Sequence, residues 1–316
     1  MNSPSSARTS RTASTSKTSG ASQTSGTPGT SGTPGASSAS QGEPVSEAFL
    51  RGARAAGLLT ASVLGDCVAD LTEEPFTGER QLLVEYASPR LLADAPAFAR
   101  TVRALVADRG LPVDRVVVRV PGGLTMPEPW APYLTYLRWT GEGDATAGQE
   151  AGADGVTIAA AGEADDPVVV GWLVRAFRAA GTARGSAVDE GAALDQARAV
   201  LDQPDRVTLM AWSEGRPVGH ATLLTEAVDD VSGLRFVELL DVLVEPSDRA
   251  RAVSARLVAA ATSVATREGH TLVGNVVHGL PPDPRSAQVV AGLEAHGWRT
   301  SHRYWSAPRG DEGSRT

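Results

Sequence analysis

The order of strand and helix patterns in the second half of the chain constrains the fold more than any other feature. The order is one strand, two helices, three strands, and then helix, strand, helix and strand. Alternation of this kind favours a mixed sheet covered by helices, which is an α/β fold. The strand patterns cover residues 156–161, 206–213, 218–225, 235–244, 271–277 and 299–306, and the helical patterns cover residues 166–180, 190–201, 251–267 and 286–296.

The first half has a shorter pattern of the same kind. A helical pattern begins near Pro44 and runs through Leu58, and an aromatic stretch at residues 130–139 closes this half. Between them, a strand pattern, an amphipathic helix ended by Gly110 and a second strand pattern predict a crossover unit. These three elements cover residues 81–86, 93–109 and 114–120.

Composition marks the boundaries between the two halves and their tails. The N-terminal segment is dominated by Ser, Thr, Gly, Ala and Pro, and such a segment buries too little apolar surface to offset its ordering entropy. An acidic segment rich in Gly and Ala separates the halves and predicts a linker. We therefore expect a disordered tail at 1–43, a smaller N-terminal α/β domain at 44–140, a linker at 141–155, a second domain at 156–308 and a flexible tail at 309–316.

Charge and cysteine content exclude several classes of protein. The formal net charge of -8 argues against a nucleic-acid partner, because binding to phosphates needs a concentrated basic surface. The single cysteine, Cys67, excludes disulfides and multi-cysteine metal sites within the chain, and the five histidines show no metal-type spacing. The apolar runs are shorter than a membrane-spanning helix requires. We expect a soluble cytoplasmic protein without a metal cofactor, and the sequence leaves the oligomeric state open.

Local motifs add to the element order from Gly219 onward. The segment Arg249-Ala250-Arg251-Ala252-Val253-Ser254 opens a helix after a strand that ends at Val244. The segment Glu294-Ala295-His296-Gly297-Trp298 ends the last helix. The order and these motifs resemble the GNAT superfamily of N-acetyltransferases, in which the helix opens with Gln or Arg, two residues, Gly, one residue, and Gly or Ala. The resemblance covers about half of the chain.

The resemblance implies that acetyl-CoA is the co-substrate. A helix N-terminus presents unpaired backbone N–H groups and the positive end of the helix dipole, so it can hold a pyrophosphate. In the family, the strand before this helix also pairs with the pantetheine arm. The cofactor-binding residues implied here are Val242, Leu243, Val244, Arg249, Ala250, Arg251, Ala252, Val253 and Ser254. Two of them, Ala252 and Ser254, replace the family's glycines, and the alanine is unfavourable if the backbone needs a positive φ.

Two acids in the strand at residues 235–244 are candidate general bases. Regular alternation places Glu238 and Asp241 on opposite faces of this strand. Burial raises the pKa of a carboxyl group toward the range in which it can take a proton from an ammonium group. Glu238 lies near the position of the catalytic glutamate in the family's histone-acetylating branch, so we prefer it to Asp241. The alternative is that a buried acid here has only a structural partner.

The family's usual acid is a tyrosine near the last helix, and Leu293 occupies that position here. A proton for the leaving thiolate would then come from water, His296, Ser286 or Tyr304. The first half loosely parallels the second and could be a decayed GNAT-like unit, although Ala87-Ser88-Pro89 is followed by no arginine-glycine loop. We interpret this half as structural or as a wall of the acceptor site.

The leading hypothesis is an acyl-CoA-dependent N-acetyltransferase that acts on the amine of a small molecule or a protein. The rival hypothesis is a non-catalytic member of the same fold, which serves as an acyl-CoA sensor or a protein-interaction module. The replacements Ala252, Ser254 and Leu293 favour this rival. The sequence does not identify the acceptor, because the acceptor pocket in this fold is built from its least patterned helices and loops.

Overall fold

The computed structural model describes residues 44–110, 112–141 and 155–308. The predicted tails at 1–43 and 309–316 lie outside the described residues, as does nearly all of the predicted linker. Seven α-helices of the described residues are α1 (Glu47–Ala55), α2 (Pro89–Ala93), α3 (Ala95–Arg109), α4 (Asp166–Ala183), α5 (Glu190–Leu201), α6 (Ala250–Arg267) and α7 (Pro284–Ala295).

The strands of both halves form one mixed sheet, which confirms the predicted α/β class. The described residues contribute eleven strands to it, in the order β1-β2-β3-β4-β11-β5-β10-β9-β8-β7-β6. They are β1 (Leu59–Ser62), β2 (Gly65–Glu73), β3 (Arg80–Ala87), β4 (Arg115–Pro121), β5 (Ala131–Trp139), β6 (Val156–Ala160), β7 (Arg206–Ser213), β8 (Arg216–Val228), β9 (Arg235–Val244), β10 (Thr271–Val277) and β11 (Trp298–Pro308).

The last strand of each half lies inside the other half. β5 runs between β10 and β11, and β11 runs between β4 and β5. Each exchanged strand pairs antiparallel with the next strand outward, and that strand pairs in parallel with the one beyond it. These parallel pairs are β3 with β4 in one half and β9 with β10 in the other. If β3, β4 and β5 are matched with β9, β10 and β11, the central order β3-β4-β11-β5-β10-β9 therefore reads the same from either end. The two halves repeat one topology.

Helices cover both faces of the sheet. α6 packs on β8, β9 and β10 through a buried cluster that includes Leu257, Val237 and Leu272, and α3 packs on the same face of the first half through Phe98. α4 and α5 cover the opposite face through a cluster that includes Phe177. Each such buried side chain contributes roughly 1.5–3 kcal/mol of hydrophobic stabilisation.

The elements of the second half lie close to their predicted positions, whereas the first half differs in two places. The first helix ends at Ala55, because Gly57 follows with a φ of 70° that no regular helix accommodates. The chain then forms the β1–β2 hairpin, which the sequence pattern did not predict. Val63 at its tip is fully exposed, so the hairpin lacks a clear alternation of apolar and polar residues there.

Candidate functional site

A gap in the sheet lies between β9 and β10. The two strands pair in parallel only from Phe236–Thr271 to Leu239–Gly274. Beyond this point β9 pairs with β8 alone, and β10 pairs with β5 alone. One backbone edge of residues 240–244 and one of residues 275–277 thus face each other without strand pairing, and we call this space the C-terminal gap.

The helix α6 begins beside the C-terminal gap without a side-chain cap. Its N-cap residue is Arg249, and there is no side-chain cap hydrogen bond. The amides of Ala250 and Val253 donate to the backbone carbonyls of Ser247 and Arg249, which leaves those of Arg251 and Ala252 in the first turn. Serine or aspartate side chains, by contrast, cap five other helices, namely α1, α2, α3, α5 and α7. Arg249 and Arg251 are exposed at this end of the helix. Open amides and two guanidinium groups therefore occur together there.

The replacement of glycine by Ala252 causes no backbone strain. Ala252 lies inside the first turn of α6, and among the described residues only Glu214 combines a side chain with a positive φ. The adverse effect that a positive φ would have had at Ala252 does not arise. Ala252 is exposed and Ser254 is half-buried, so small side chains border the open amides.

The predicted faces of the two acids were wrong. A β-bulge in β9 places Leu240 as an extra residue, since Thr222 pairs with Asp241 and the next residue, Leu223, pairs with Leu239. The bulge shifts the alternation by one residue. Glu238 and Asp241 consequently share the face covered by α4 and α5. The neighbours confirm this shift: Val237, Leu239, Val242 and Val244 join the cluster under α6, whereas Leu240 and Leu243 join the cluster under α4.

Asp241 is completely buried beside His220. The His220 Nε2 lies 3.2 Å from the Asp241 Oδ2 without hydrogen-bond alignment, and both side chains have no exposed surface. The His220 ring stacks on Trp172 at 5.2 Å between centroids, and its Nδ1 lies 3.1 Å from Thr222 Oγ1. Trp172 Nε1 donates a 2.6 Å hydrogen bond to Glu245. Asp241 therefore belongs to a closed row of side chains under α4.

Glu238 lies where β9 and β10 begin to part. It is 2% exposed and stands directly beside Val273, one residue before the last parallel pair. Tyr136 of β5 lies on the same face, and its pKa is raised well above 10 by burial and then by the charges of Glu238 and Glu85. Positive charges of two arginines oppose that shift only in part. Tyr136 stays protonated at neutral pH and brings a hydroxyl group from the first half toward Glu238.

Tyr136 is a functional candidate that the sequence analysis missed. Its aromatic stretch was recognisable, but its place beside the C-terminal gap depends on the strand exchange. Leu293, at the position of the family's tyrosine, packs against the apolar core under α6. The other candidate donors lie elsewhere: His296 Nδ1 contacts Gly292 O at the end of α7, and Tyr304 donates a 2.9 Å hydrogen bond to Glu85 of the first half.

The remaining candidate donor, Ser286, is held by His278. His278 Nδ1 lies 3.0 Å from Ser286 Oγ, and its Nε2 lies 2.7 Å from Thr135 Oγ1 of β5. Burial, and then the positive charges of Arg303 and Arg184, lower the pKa of His278 to about 4. The neutral ring thus connects the last helix of the second half to a strand of the first half.

Asn275 supplies an unsatisfied polar group at the C-terminal gap. It is the first residue of β10 beyond the last parallel pair, and it is 6% exposed. Neither its Oδ1 nor its Nδ2 has a hydrogen-bond partner among the described residues. A buried amide without partners costs free energy. A ligand with polar groups in the gap would relieve that cost.

The described residues lack two other kinds of feature. No helix among them is long and apolar enough to cross a membrane. Within the same ranges, no group of three or more His, Cys, Asp or Glu residues is arranged to hold a metal ion.

Comparison with known proteins returns structures and no sequence relatives. No family model and no curated protein matches the chain. The solved structures that resemble it include a GNAT-family acetyltransferase from Colwellia psychrerythraea, with 11% identity over 79% of this chain and 82% of that chain and a TM-score of 0.43. Another is a GCN5-related N-acetyltransferase from Kribbella flavida, with 17% identity over 84% and 96% and a TM-score of 0.43.

A tandem GNAT protein from the clavulanic acid biosynthesis pathway also resembles the chain, with 15% identity over 79% of this chain and 80% of that chain and a TM-score of 0.46. The fold of the present chain is established by its own strand order, by the parting of β9 and β10 and by the open start of α6. These features agree with the arrangement that the resemblance to the GNAT superfamily implies.

Proposed function

We propose that the protein is an acyl-CoA-dependent N-acetyltransferase that moves an acetyl group from acetyl-CoA to an amine. The observation that carries this proposal is the uncapped start of α6 beside the C-terminal gap, with buried Glu238 where the gap begins. Each of these features has a direct use in thioester transfer, and the three lie within one strand-helix unit.

The residues around the C-terminal gap fit coenzyme A. The amides of Arg251 and Ala252 and the guanidinium groups of Arg249 and Arg251 would hold the diphosphate. The amides of Ala250 and Val253 already donate to the carbonyls of Ser247 and Arg249. The open edge of residues 242–244 would pair with the amides of the pantetheine arm, as an added strand does. Asn275 would supply a donor and an acceptor from the opposite wall. Acetyl-CoA bound in this gap would supply the activated acetyl thioester.

Glu238 is the proposed general base. An amine acceptor arrives as an ammonium ion, and Glu238 would accept its proton so that the nitrogen lone pair can attack the thioester carbon. Tyr136, which stays protonated at neutral pH, is the proposed donor of a proton to the departing thiolate. Asp241, the second base candidate, is enclosed with His220, and we assign it a positioning role for β9.

The acceptor is an amine of a small molecule or of a protein. Glu238 faces the side of the sheet that carries α4 and α5, so the acceptor would approach from that side. Strands of the first half contribute Tyr136 to the same face, and that half would form one wall of the acceptor site.

A non-catalytic role in binding acyl-CoA is the second candidate. The observations that favour it are the apolar packing of Leu293 and the enclosure of Asp241 by His220 and Trp172. A sensor needs the open amides and the C-terminal gap but no proton transfer.

Calorimetry with acetyl-CoA, followed by thiol release with a panel of amines, tests both candidates. Binding and amine-dependent thiol release support the transferase. Binding without thiol release across the panel supports the sensor, and failure to bind acetyl-CoA removes both.

A further inference from the structure

The C-terminal gap opens beside the β-bulge in β9. The last parallel pair of β9 and β10 joins Leu239 to Gly274, and the next residue, Leu240, is the extra residue of the bulge. A bulge bends its strand, increases the local twist and often lies next to an active site. The bulge therefore turns the end of β9 away from β10 at the point where the gap begins.

The first half repeats this arrangement. β3 and β4 pair in parallel as far as Val84 and Val118 and then part, and we call this second opening the N-terminal gap. β3 also has a bulge there, with Glu85 as the extra residue, because the two neighbours of Glu85 pair with consecutive residues of β2. In both halves the parallel pairing thus ends one residue before the extra residue of a bulge.

Asp241 is the residue that makes the bulge in β9 favourable. Residues 239–244 are apolar except for Asp241, so the other residues of this segment suit either face of the sheet. Without the bulge, alternation would place Asp241 on the face that α6 covers, within an apolar cluster. A buried carboxyl group without a polar partner costs free energy, so the regular strand is unfavourable.

The bulge instead places Asp241 on the face that α4 covers, beside polar side chains. Its Oδ2 lies 3.2 Å from the His220 Nε2, and its register partner on β8 is Thr222. His220 is held in turn, because its ring stacks on Trp172 and its Nδ1 lies 3.1 Å from the Thr222 Oγ1. Asp241 needs a shift by one residue to reach these neighbours.

We propose that Asp241, held by His220, is a positioning residue for the acetyl-CoA site, because it selects the bulge that keeps the end of β9 apart from β10. Asp241 acts through the backbone of β9 and does not touch the ligand. Its effect on acetyl-CoA binding rests on the proposed function, whereas its effect on the gap belongs to the free chain.

Hydrogen exchange of the free full-length chain tests the gap directly. Asp241→Leu removes the polar group that disfavours regular alternation, so β9 loses its bulge and pairs with β10 beyond Leu239. The amides of residues 240–244 and 275–277 then exchange about 10-fold more slowly than in the wild type, because strand pairing protects them. Asp241→Asn keeps a polar side chain of the same shape and the wild-type rates. Thr208→Val, in the same buried polar row, is the matched control and also keeps them.

Calorimetry with acetyl-CoA tests the consequence for binding. Asp241→Leu weakens the affinity about 10- to 100-fold, because the edge that would take the pantetheine arm is closed. Asp241→Asn and Thr208→Val keep the wild-type affinity. If the wild type itself does not bind acetyl-CoA, the proposed function fails, and the exchange rates still decide the role of Asp241.

A second variant protects the test from a folding defect. His220→Leu combined with Asp241→Leu replaces both members of the buried pair by apolar side chains, which proteins often tolerate without loss of stability. This double variant shows the same slow exchange. Wild-type or faster exchange of residues 240–244 in both leucine variants overturns the proposal, as does an equal slowing in Asp241→Asn.

Discussion

The two gaps in the sheet form in the same way, but the helix starts beside them differ. In each half a parallel strand pair parts after four residue pairs, beside the start of a helix. In the first half that helix start is capped by Ser88 and blocked by Pro89, whereas in the second half α6 begins without a side-chain cap. If α6 holds an anion as proposed, then two residues at a helix start decide whether this topology keeps or loses an anion-binding site.

The first polar residue of each gap shows the same contrast. Arg119 follows the last parallel pair of β4, and Asn275 follows the last parallel pair of β10. The chain supplies Arg119 with a partner, Asp229, but gives the side chain of Asn275 none among the described residues. Among the described residues, the polar side chain of the first gap is paired within the chain, whereas that of the second gap is buried without a hydrogen-bond partner.

The largest expected effect concerns Glu238, which lies where the C-terminal gap begins. Glu238→Gln should lower kcat about 10²- to 10⁴-fold, because a glutamine side chain cannot accept the proton of the ammonium group. The affinity for acetyl-CoA should stay the same in calorimetry, and Glu73→Gln should leave turnover unchanged. If Asp241→Asn abolishes turnover while Glu238→Gln does not, then the assignment of the base is wrong.

Replacing the two polar residues of the gaps by leucine should have opposite effects on stability. Arg119→Leu should lower the free energy of unfolding by about 3–5 kcal/mol, because it leaves Asp229 buried without its partner. Asn275→Leu should raise this free energy or leave it unchanged, since it removes two unsatisfied polar atoms. Urea denaturation measures both values, and a loss of more than about 1 kcal/mol in Asn275→Leu would contradict the idea of an unsatisfied amide.

Acidification should weaken the connection that His278 makes between the two halves. Its pKa is about 4 in the folded chain and about 6.5 when unfolded, so only the unfolded chain takes up the proton between these values. Stability should be complete above pH 6.5 and decline by on the order of 3 kcal/mol as the pH falls to 4. Urea denaturation of His278→Gln should show a flatter pH dependence over this window. An identical slope in both proteins would exclude this cause.

The smallest effect is expected when the second half is given the helix start of the first. Arg249→Ser combined with Ala250→Pro adds a side chain that can accept from the Arg251 and Ala252 amides, and it should weaken acetyl-CoA binding about 10- to 100-fold. The amide that proline lacks is one that donates to Ser247 and does not face a ligand. The thermal midpoint should not fall, because serine caps helices well and proline is tolerated at their first position. Arg267→Ser, at the far end of α6, controls for the lost charge. Undiminished affinity in the double variant would show that these amides do not hold the ligand.

Local pattern predicted the second half of the fold well. The strands at residues 206–213 and 235–244 appear with the bounds that alternation indicated. Alternation failed inside β9, because a bulge adds one residue at Leu240 without a sequence signal as clear as glycine. The error moved Asp241 to the wrong face, although the element itself was correct.

The rest of the candidate site depends on contacts between distant parts of the chain. Tyr136 reaches the C-terminal gap only because β5 pairs with β10, and sequence periodicity carries no information about which strands pair. The same holds for the pairing of Arg119 with Asp229, which are 110 residues apart in the sequence. Residue types, spacing and the resemblance to the GNAT superfamily singled out Glu238 and the helix start as candidates, but not the side chains that lie beside them.

The reciprocal placement of β5 and β11 has a consequence for how the chain could be divided. If the halves were produced as separate polypeptides, each sheet would lose an interior strand and expose two unpaired edges in its middle. Neither fragment should fold alone, but the two should reassemble when mixed, as the subunits of an intertwined dimer do. In this respect the protein resembles a strand-swapped dimer whose two subunits are joined in one polypeptide. The site residues of one half can therefore change while its last strand still completes the sheet of the other half.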